Sequence, residues 1–146
     1  MGAAAPAAAL CGCLFAAGAW AEDLAPLPDA LRAGADEQYM LVRCAGLYYS
    51  VYLYGGEVQL GRDMVVDLET RVNQLMRMAT ILRIDRGIDP NDAGPQIMQE
   101  TSRIADLYIE RYHRNYAARG LPFTPDPVWD SDMEVCREVM GARRVE

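Results

Sequence analysis

The chain has 146 residues, of which 14 are Arg or Lys, 21 are Asp or Glu and one is His, so its net charge at pH 7 is −7. This acidic balance argues against a nucleic acid or an anionic membrane surface as a partner, because each needs a basic face on the protein. The length is sufficient for one domain with a hydrophobic core.

The first feature in chain order is an uncharged, apolar run that ends at two acidic residues, Glu22 and Asp23. Ala19-Trp20-Ala21 has the small-x-small pattern that precedes signal-peptidase cleavage, so we predict that residues 1–21 are a signal peptide. Export would place the mature chain in the bacterial periplasm or outside the cell, with no stable membrane anchor. The alternatives are an uncleaved anchor and a lipoprotein acylated at Cys11 or Cys13.

The next segment, residues 22–35, contains Pro26 and Pro28 and has weak periodicity. We interpret it as an N-terminal tether or a short packed segment that precedes a helical domain spanning residues 36–146. The first helix of that domain should begin at Asp36 and end at Gly55-Gly56. Its core face is expected to consist of the residues that recur at helical spacing: Met40, Cys44, Leu47 and Val51.

Residues 50–60 also fit a β-hairpin around the two glycines. In that register Leu53 would face Val58 and Val51 would face Leu60, which leaves one side wholly apolar. An isolated hairpin is marginally stable in water, and no other part of the chain supplies a third strand. The sequence therefore favours the helix and leaves the hairpin as the alternative.

Three further helices are predicted. The second has an apolar stripe that steps by three and four: Val65, Leu68, Val72, Leu75, Ala79 and Leu82. The third should begin near Pro95, end at Gly120, and bury Ile97, Thr101, Ile104, Tyr108 and Tyr112. The last should open at Ser131-Asp132-Met133-Glu134, which has the spacing of a capping box.

Two cysteines, Cys44 and Cys136, would remain after the signal peptide is removed. An even number of cysteines in an oxidising compartment indicates one disulfide, with two unrelated buried thiols as the alternative. The bridge would join the first predicted helix to the last and close an all-α, four-helix domain. In the chain-entropy model, so long a closed loop restricts the unfolded state by roughly 4–5 kcal/mol.

Metal and cofactor chemistry has little support in the sequence. The single histidine, His113, lies among charged residues on a solvated helix face, and we predict no cofactor. Residues 89–100 have the length of an EF-hand loop, but Ala93 offers no side-chain oxygen at a ligand position. A calcium- or ligand-responsive domain is therefore a minor alternative.

Nucleophilic catalysis also lacks a motif, since the chain has no G-x-S-x-G sequence and no glycine-rich phosphate loop. We assign no catalytic residue. An enzyme whose site is assembled from carboxylates, Arg and Tyr is the second hypothesis for function.

Tyrosine is concentrated in one segment, because five of the eight tyrosines lie between Tyr39 and Tyr54. One helix cannot turn all of them towards the core, and exposed aromatics with a polar tip are typical of binding patches. The alternative is that these rings cover the edge of the core. We predict an exported binding module without catalytic chemistry, whose partner is another protein or a second copy. The candidate partner-binding residues are Tyr48, Tyr49, Tyr52, Tyr54, Phe123 and Trp129.

Overall fold

The computed structural model describes residues 24–142, and that part of the chain contains helices and no strand. A short helix precedes four long ones: α1 (Leu27–Arg32), α2 (Glu37–Leu60), α3 (Arg62–Asp85), α4 (Pro90–Arg119) and α5 (Pro127–Ala142). The prediction of an all-α, four-helix domain is confirmed. The hairpin alternative is wrong, because residues 50–60 belong to a helix that is kinked at Gly56. The predicted signal peptide, residues 1–21, lies outside the described residues.

Helix α1 shows that the segment predicted as a tether is packed against the domain. Leu24 and Leu27 belong to the hydrophobic core, and α1 contacts α5 and α2. The backbone N–H of Leu27 donates a hydrogen bond of 2.5 Å to the carboxylate of Asp132. The described part of this segment, from residue 24 onward, therefore packs against the helical domain.

Helix α2 is the central element of the fold. Its residues 41–48 are all buried, since α1, α3, α4 and α5 each contact it. The predicted one-sided core face, which ran from Met40 to Val51, is therefore too narrow. A helix that is surrounded on all sides has no polar face, so its periodicity could not reveal the extra burial.

The ends of α2 follow the sequence closely. The side chain of Asp36 caps the helix by accepting a 2.8 Å hydrogen bond from the backbone N–H of Tyr39. The straight part stops at Gly56, whose φ of 60° and ψ of 178° are not helical, and one further turn ends at Gly61. A positive φ of this kind favours glycine, which explains why the predicted end at Gly55-Gly56 appears as a kink.

A close contact between α2 and α4 depends on Gly46. A Cβ atom at this position would lie 2.3 Å from Cγ2 of Ile104 and 3.2 Å from the backbone oxygen of Thr101. One turn later, the hydroxyls of Ser50 and Tyr112 share a buried hydrogen bond of 2.7 Å. The small side chains on α2 therefore allow α4 to pack closely along it.

Helix α3 confirms its predicted stripe, because the first five stripe residues are buried and Leu82 is half-buried. Helix α4 has the predicted buried face, with Ile104 half-buried, and ends at Gly120 in the left-handed conformation. Its predicted start is wrong, because α4 begins at Pro90 and has Pro95 inside it. Asp89 caps this helix by accepting a 2.8 Å hydrogen bond from the backbone N–H of Asn91.

The early start of α4 also removes the proposed EF-hand loop. Residues 90–100 form the first turns of the helix, so they cannot wrap around an ion as that loop does. The carboxylate of Glu100 instead forms a bidentate pair with Arg83, with both distances 2.9 Å.

The predicted start of the last helix at Ser131 is wrong as well, since α5 begins at Pro127. Asp126 caps it, accepting hydrogen bonds of 3.0 and 3.3 Å from the backbone N–H groups of Val128 and Trp129. The Ser131 hydroxyl lies inside the helix and donates to the carbonyl oxygen of Val128 at 3.2 Å.

The disulfide between Cys44 and Cys136 is confirmed. It joins α2 to α5, the first and last of the four long helices, and both residues are fully buried. The two Cα atoms are 5.4 Å apart, within the range usual for a disulfide.

Candidate functional site

Next to the disulfide lies a buried ion pair between Arg43 of α2 and Asp132 of α5. The Nη2 atom of Arg43 is 2.6 Å, and its Nε atom 3.0 Å, from the same carboxylate oxygen. The side chains are 1% and 0% exposed. Ion pair and disulfide therefore fasten the same two helices at adjacent positions of α2.

Four further groups complete this polar centre. Nε of Arg43 also donates to the Tyr108 hydroxyl at 2.7 Å, and that hydroxyl donates to Asp132. Nη1 donates to the Tyr39 hydroxyl at 3.0 Å, while Nη2 donates to the carbonyl oxygen of Ala25 at 2.8 Å. With the Leu27 amide on the other carboxylate oxygen, the centre connects the N-terminal segment with α2, α4 and α5.

The electrostatics of the centre keep Tyr108 and Arg43 each in one protonation state. Burial raises the pKa of Tyr108 well above its ordinary value, although the nearby Arg43 acts in the opposite direction. Burial alone would lower the pKa of Arg43, but Tyr108 and Asp132 more than offset this and raise it. At neutral pH the tyrosine is therefore a neutral hydroxyl and the arginine a cation.

This centre contains the three residue types that the enzyme hypothesis required, but its geometry suits a structural role. Arg43, Tyr108 and Asp132 are at most 1% exposed and bond mainly to one another. Asp132 is the only carboxylate bound there by Arg43 among residues 24–142, whereas acid–base chemistry by paired carboxylates needs two. The groups hold helices together and leave no accessible nucleophile.

Sequence reasoning did not single out Arg43 or Asp132. The available signal was the position of Arg43 inside the apolar stretch Met40-Leu41-Val42-Arg43-Cys44-Ala45. A lone charge in such a stretch needs a buried partner, because an unpaired buried charge is strongly unfavourable. The partner itself could not be identified, since Asp132 fitted a capping box equally well.

A second ion pair fixes the start of α5 to α4. Nε of Arg111 lies 2.6 Å, and the side-chain amide nitrogen of Asn115 lies 2.5 Å, from one carboxylate oxygen of Asp126. Burial alone would raise the pKa of Asp126, but these two hydrogen bonds lower it below its ordinary value. The carboxylate therefore remains ionised at neutral pH while it caps the helix.

The six predicted partner-binding residues do not form one surface. Tyr54, Phe123 and Trp129 come together, with ring centroids 5.9 Å apart for the first pair and 5.5 Å for the second. The buried ring of Tyr112 belongs to the same cluster, with its centroid 4.9 Å from that of Phe123. Tyr54, Phe123 and Trp129 are each half-buried against the core. These three residues cover the edge of the core, which was the alternative interpretation of the tyrosines.

Tyr48, also predicted to bind a partner, lies in the core. It is only 4% exposed, and its ring lies under the guanidinium group of Arg71 at 5.6 Å. Because α3 and α5 close over this part of α2, Tyr48 is a core residue and has no surface to offer a partner.

Tyr49 and Tyr52 lie side by side at the surface, whereas Tyr54 lines a separate cleft with His113 and Tyr116. The rings of Tyr49 and Tyr52 stack with centroids 6.0 Å apart and an interplanar angle of 13°. They line a groove of about 380 Å³ between α2, α3 and α4, which we call the tyrosine groove. Its other lining residues are Glu69, Val72, Asn73, Met76 and Met98.

Metal-ligating residues do not converge in the described part of the chain. No group of three or more His, Cys, Asp or Glu side chains there could hold an ion. His113 is exposed, and its ring meets the ring of Tyr54 edge-on with centroids 5.4 Å apart. Within residues 24–142, no helix is both long and apolar enough to cross a bilayer.

Comparison with protein-family models, curated protein sequences and solved structures found no match for this chain. Function must therefore be argued from its own residues.

Proposed function

We propose that this protein is an exported binding module that holds a segment of a partner protein in the tyrosine groove. The observation that carries the proposal is the stacked pair Tyr49–Tyr52, which lines a groove together with the 47%-exposed side chain of Met98. Export is supported by the predicted signal peptide and is compatible with the buried disulfide.

The chemistry of the groove favours an apolar anchor. Two tyrosine rings supply large, rigid contact area with little rotamer entropy to lose, which is why tyrosine is enriched at binding hot spots. Met76 and Met98 are flexible and polarisable, so they can adjust to the shape of an inserted side chain. A volume of about 380 Å³ is sufficient for one large side chain and its immediate neighbours.

The charge of the chain favours a basic partner over a second copy. Glu69 is the charged residue that lines the groove, and the whole chain carries −7. Two such chains repel each other, whereas a segment with Lys or Arg beside its apolar anchor would be attracted. The proposed occupant is therefore a basic, apolar segment of another exported protein.

The double change Tyr49→Ala/Tyr52→Ala tests this proposal. A protein captured on the wild type from the cell envelope of the producing bacterium would be purified, and its dissociation constant measured with each variant. We expect the double change to weaken binding by about 30-fold or more, since a buried interface tyrosine contributes about 2 kcal/mol or more. The fold should be kept, because both rings are only half-buried.

The matched control is Tyr116→Ala, which removes a 58%-exposed tyrosine outside the groove and should leave binding unchanged. Equal affinity of the double variant and the wild type would contradict the groove as the binding site. Partner binding lost together with the folded state would show instead that the two tyrosines are core residues. Sedimentation showing that the wild type is a dimer, which the double change dissociates, would contradict the heterologous partner.

A further inference from the structure

The cleft that Tyr54 lines with His113 and Tyr116 shares no residue with the tyrosine groove. It lies towards the C-terminal ends of α2 and α4 and has a volume of about 590 Å³. We call it the aromatic cleft, after these three rings. Its other lining residues are Leu53, Gln59, Ile109 and Pro122. A concave site with aromatic and aliphatic walls and few polar groups is suited to a small molecule.

The rings of Tyr54 and His113 form a corner of the aromatic cleft. Their centroids are 5.4 Å apart, and their planes meet at 64°. Packing fixes Tyr54, because its ring also meets those of Tyr112 and Phe123 edge-on, with centroids 5.4 and 5.9 Å away. Tyr116 is 58% exposed, so its ring can turn between rotamers and close against a molecule in the corner. The cleft thus combines one fixed ring with two exposed ones.

The charge around the aromatic cleft favours a cation. Among the described residues its lining includes no arginine and no carboxylate, so a charged ligand would meet the rings instead of an ion-pair partner. The face of an aromatic ring is electrostatically negative and attracts cations. The net charge of −7 acts in the same direction, because it concentrates cations near the protein. Glu110 and Arg114, which adjoin lining residues of α4, are paired with each other at 4.0 Å.

We propose that the aromatic cleft binds a quaternary ammonium group, as found in choline. Such a group has no N–H donor and therefore needs no acceptor in the site. Its methyl groups pack on Leu53, Ile109 and Pro122, while the tyrosine rings attract its charge. A neutral molecule of the same shape loses that attraction, and the acidic chain repels an anion. The cleft is therefore a small-molecule site that does not depend on the partner-binding groove.

The probes are choline and its uncharged carbon isostere, 3,3-dimethyl-1-butanol. Each is titrated into the purified protein at constant ionic strength and about pH 8, where an imidazole is ordinarily neutral, and followed by backbone amide chemical shifts. We expect choline to bind saturably, with a dissociation constant of roughly a millimolar and shifts centred on the cleft. The isostere should bind at least about fivefold more weakly, because it fills the same space without the charge.

Substitutions at Tyr116 test the contribution of its ring. Tyr116→Leu keeps an apolar side chain but removes the ring, so choline binding should weaken about fivefold or more. Tyr116→Phe keeps the ring and should retain the affinity within about twofold. The control is Ile81→Ala, which changes a 47%-exposed residue outside the cleft and should leave choline binding unchanged. Both positions are exposed, so all variants should fold, which thermal unfolding checks.

Sedimentation with phosphatidylcholine vesicles distinguishes two sources of the group. Vesicle binding that free choline displaces would assign the cleft to a lipid headgroup, whereas saturable choline binding without vesicle binding would assign it to a free solute. Four results would overturn the proposal: no saturation by choline up to roughly 50 mM, equal binding of choline and its isostere, shifts centred outside the cleft, or choline affinity unchanged in Tyr116→Leu.

Discussion

Replacing Asp132 by Asn should lower the free energy of unfolding by about 3–5 kcal/mol, the range found when one partner of a buried ion pair is removed. Arg43 would then be a cation that is 1% exposed and has lost the carboxylate it contacts through Nε and Nη2. The change should also loosen the N-terminal segment, because the Leu27 amide donates to the same carboxylate. Urea denaturation followed by circular dichroism measures the effect.

The matched control is Asp67→Asn, which breaks the pair with Arg71 at a carboxylate that is 46% exposed. Exposed pairs contribute about 0–1 kcal/mol, so this change should lower the free energy of unfolding by no more than about 1 kcal/mol. If Asp132→Asn were as mild as the control, the polar centre could not be what fastens α5 to the rest of the domain.

Removing the disulfide with Cys44→Ser/Cys136→Ser should lower the free energy of unfolding by about 2–5 kcal/mol. The closed loop spans 92 positions, so its loss releases a large part of the chain in the unfolded state. A reductant should destabilise the wild type to the level of the double variant and leave the double variant itself unchanged. The disulfide would not stabilise the fold if the reductant left the stability of the wild type unchanged, or if the double variant were as stable as the wild type.

The disulfide and the ion pair should also be coupled. Cys44 follows Arg43 directly, and Cys136 lies one turn after Asp132, so both links hold α5 against the same side of α2. Changes at neighbouring sites with shared partners are commonly non-additive. The losses of unfolding free energy caused by Asp132→Asn and by the cysteine replacements should therefore not add when the changes are combined.

The buried residues of α3 were predictable because this helix buries only one face. Those of α2 were not, because other helices surround it. The stripe on α3 was complete in the sequence because that helix meets the core along one side. Over residues 41–48, α2 has neighbours on every side, so a pattern that assumes one buried face failed. The prediction that Cys44 pairs with Cys136 depended only on the number of cysteines and the expected compartment. It is therefore correct even though two predicted helix starts are wrong.

Both wrong helix starts have the same physical cause. Helices α4 and α5 each begin at an Asp-Pro dipeptide, Asp89-Pro90 and Asp126-Pro127, in which the carboxylate caps the backbone and proline occupies the first helical position. Proline fits there because its missing N–H has no partner at a helix start anyway. In each case the sequence also contains a later start signal, Pro95 or Ser131, and a prediction based on that signal begins the helix too late.

The candidate site was predictable in residue type but not in position. An excess of tyrosines indicated aromatic surface, yet only the packing of α3, α4 and α5 around α2 decides that Tyr48 is covered while Tyr49 and Tyr52 border a groove. The groove also needs Met76 and Met98 from two other helices, and a single sequence does not show which residues of separate helices meet.

Site-specific photocrosslinking in the cells that produce the protein tests the binding proposal most directly. A photoreactive residue would replace either Met98 in the tyrosine groove or Ile81 outside it; both side chains are 47% exposed, so exposure alone cannot explain a difference. We expect position 98, and not position 81, to crosslink to one exported protein through a segment with Lys or Arg beside a large apolar residue. Tyr49→Ala/Tyr52→Ala should abolish that product. Crosslinking no stronger at position 98 than at position 81, or a crosslinked segment that is acidic, would contradict the proposed function.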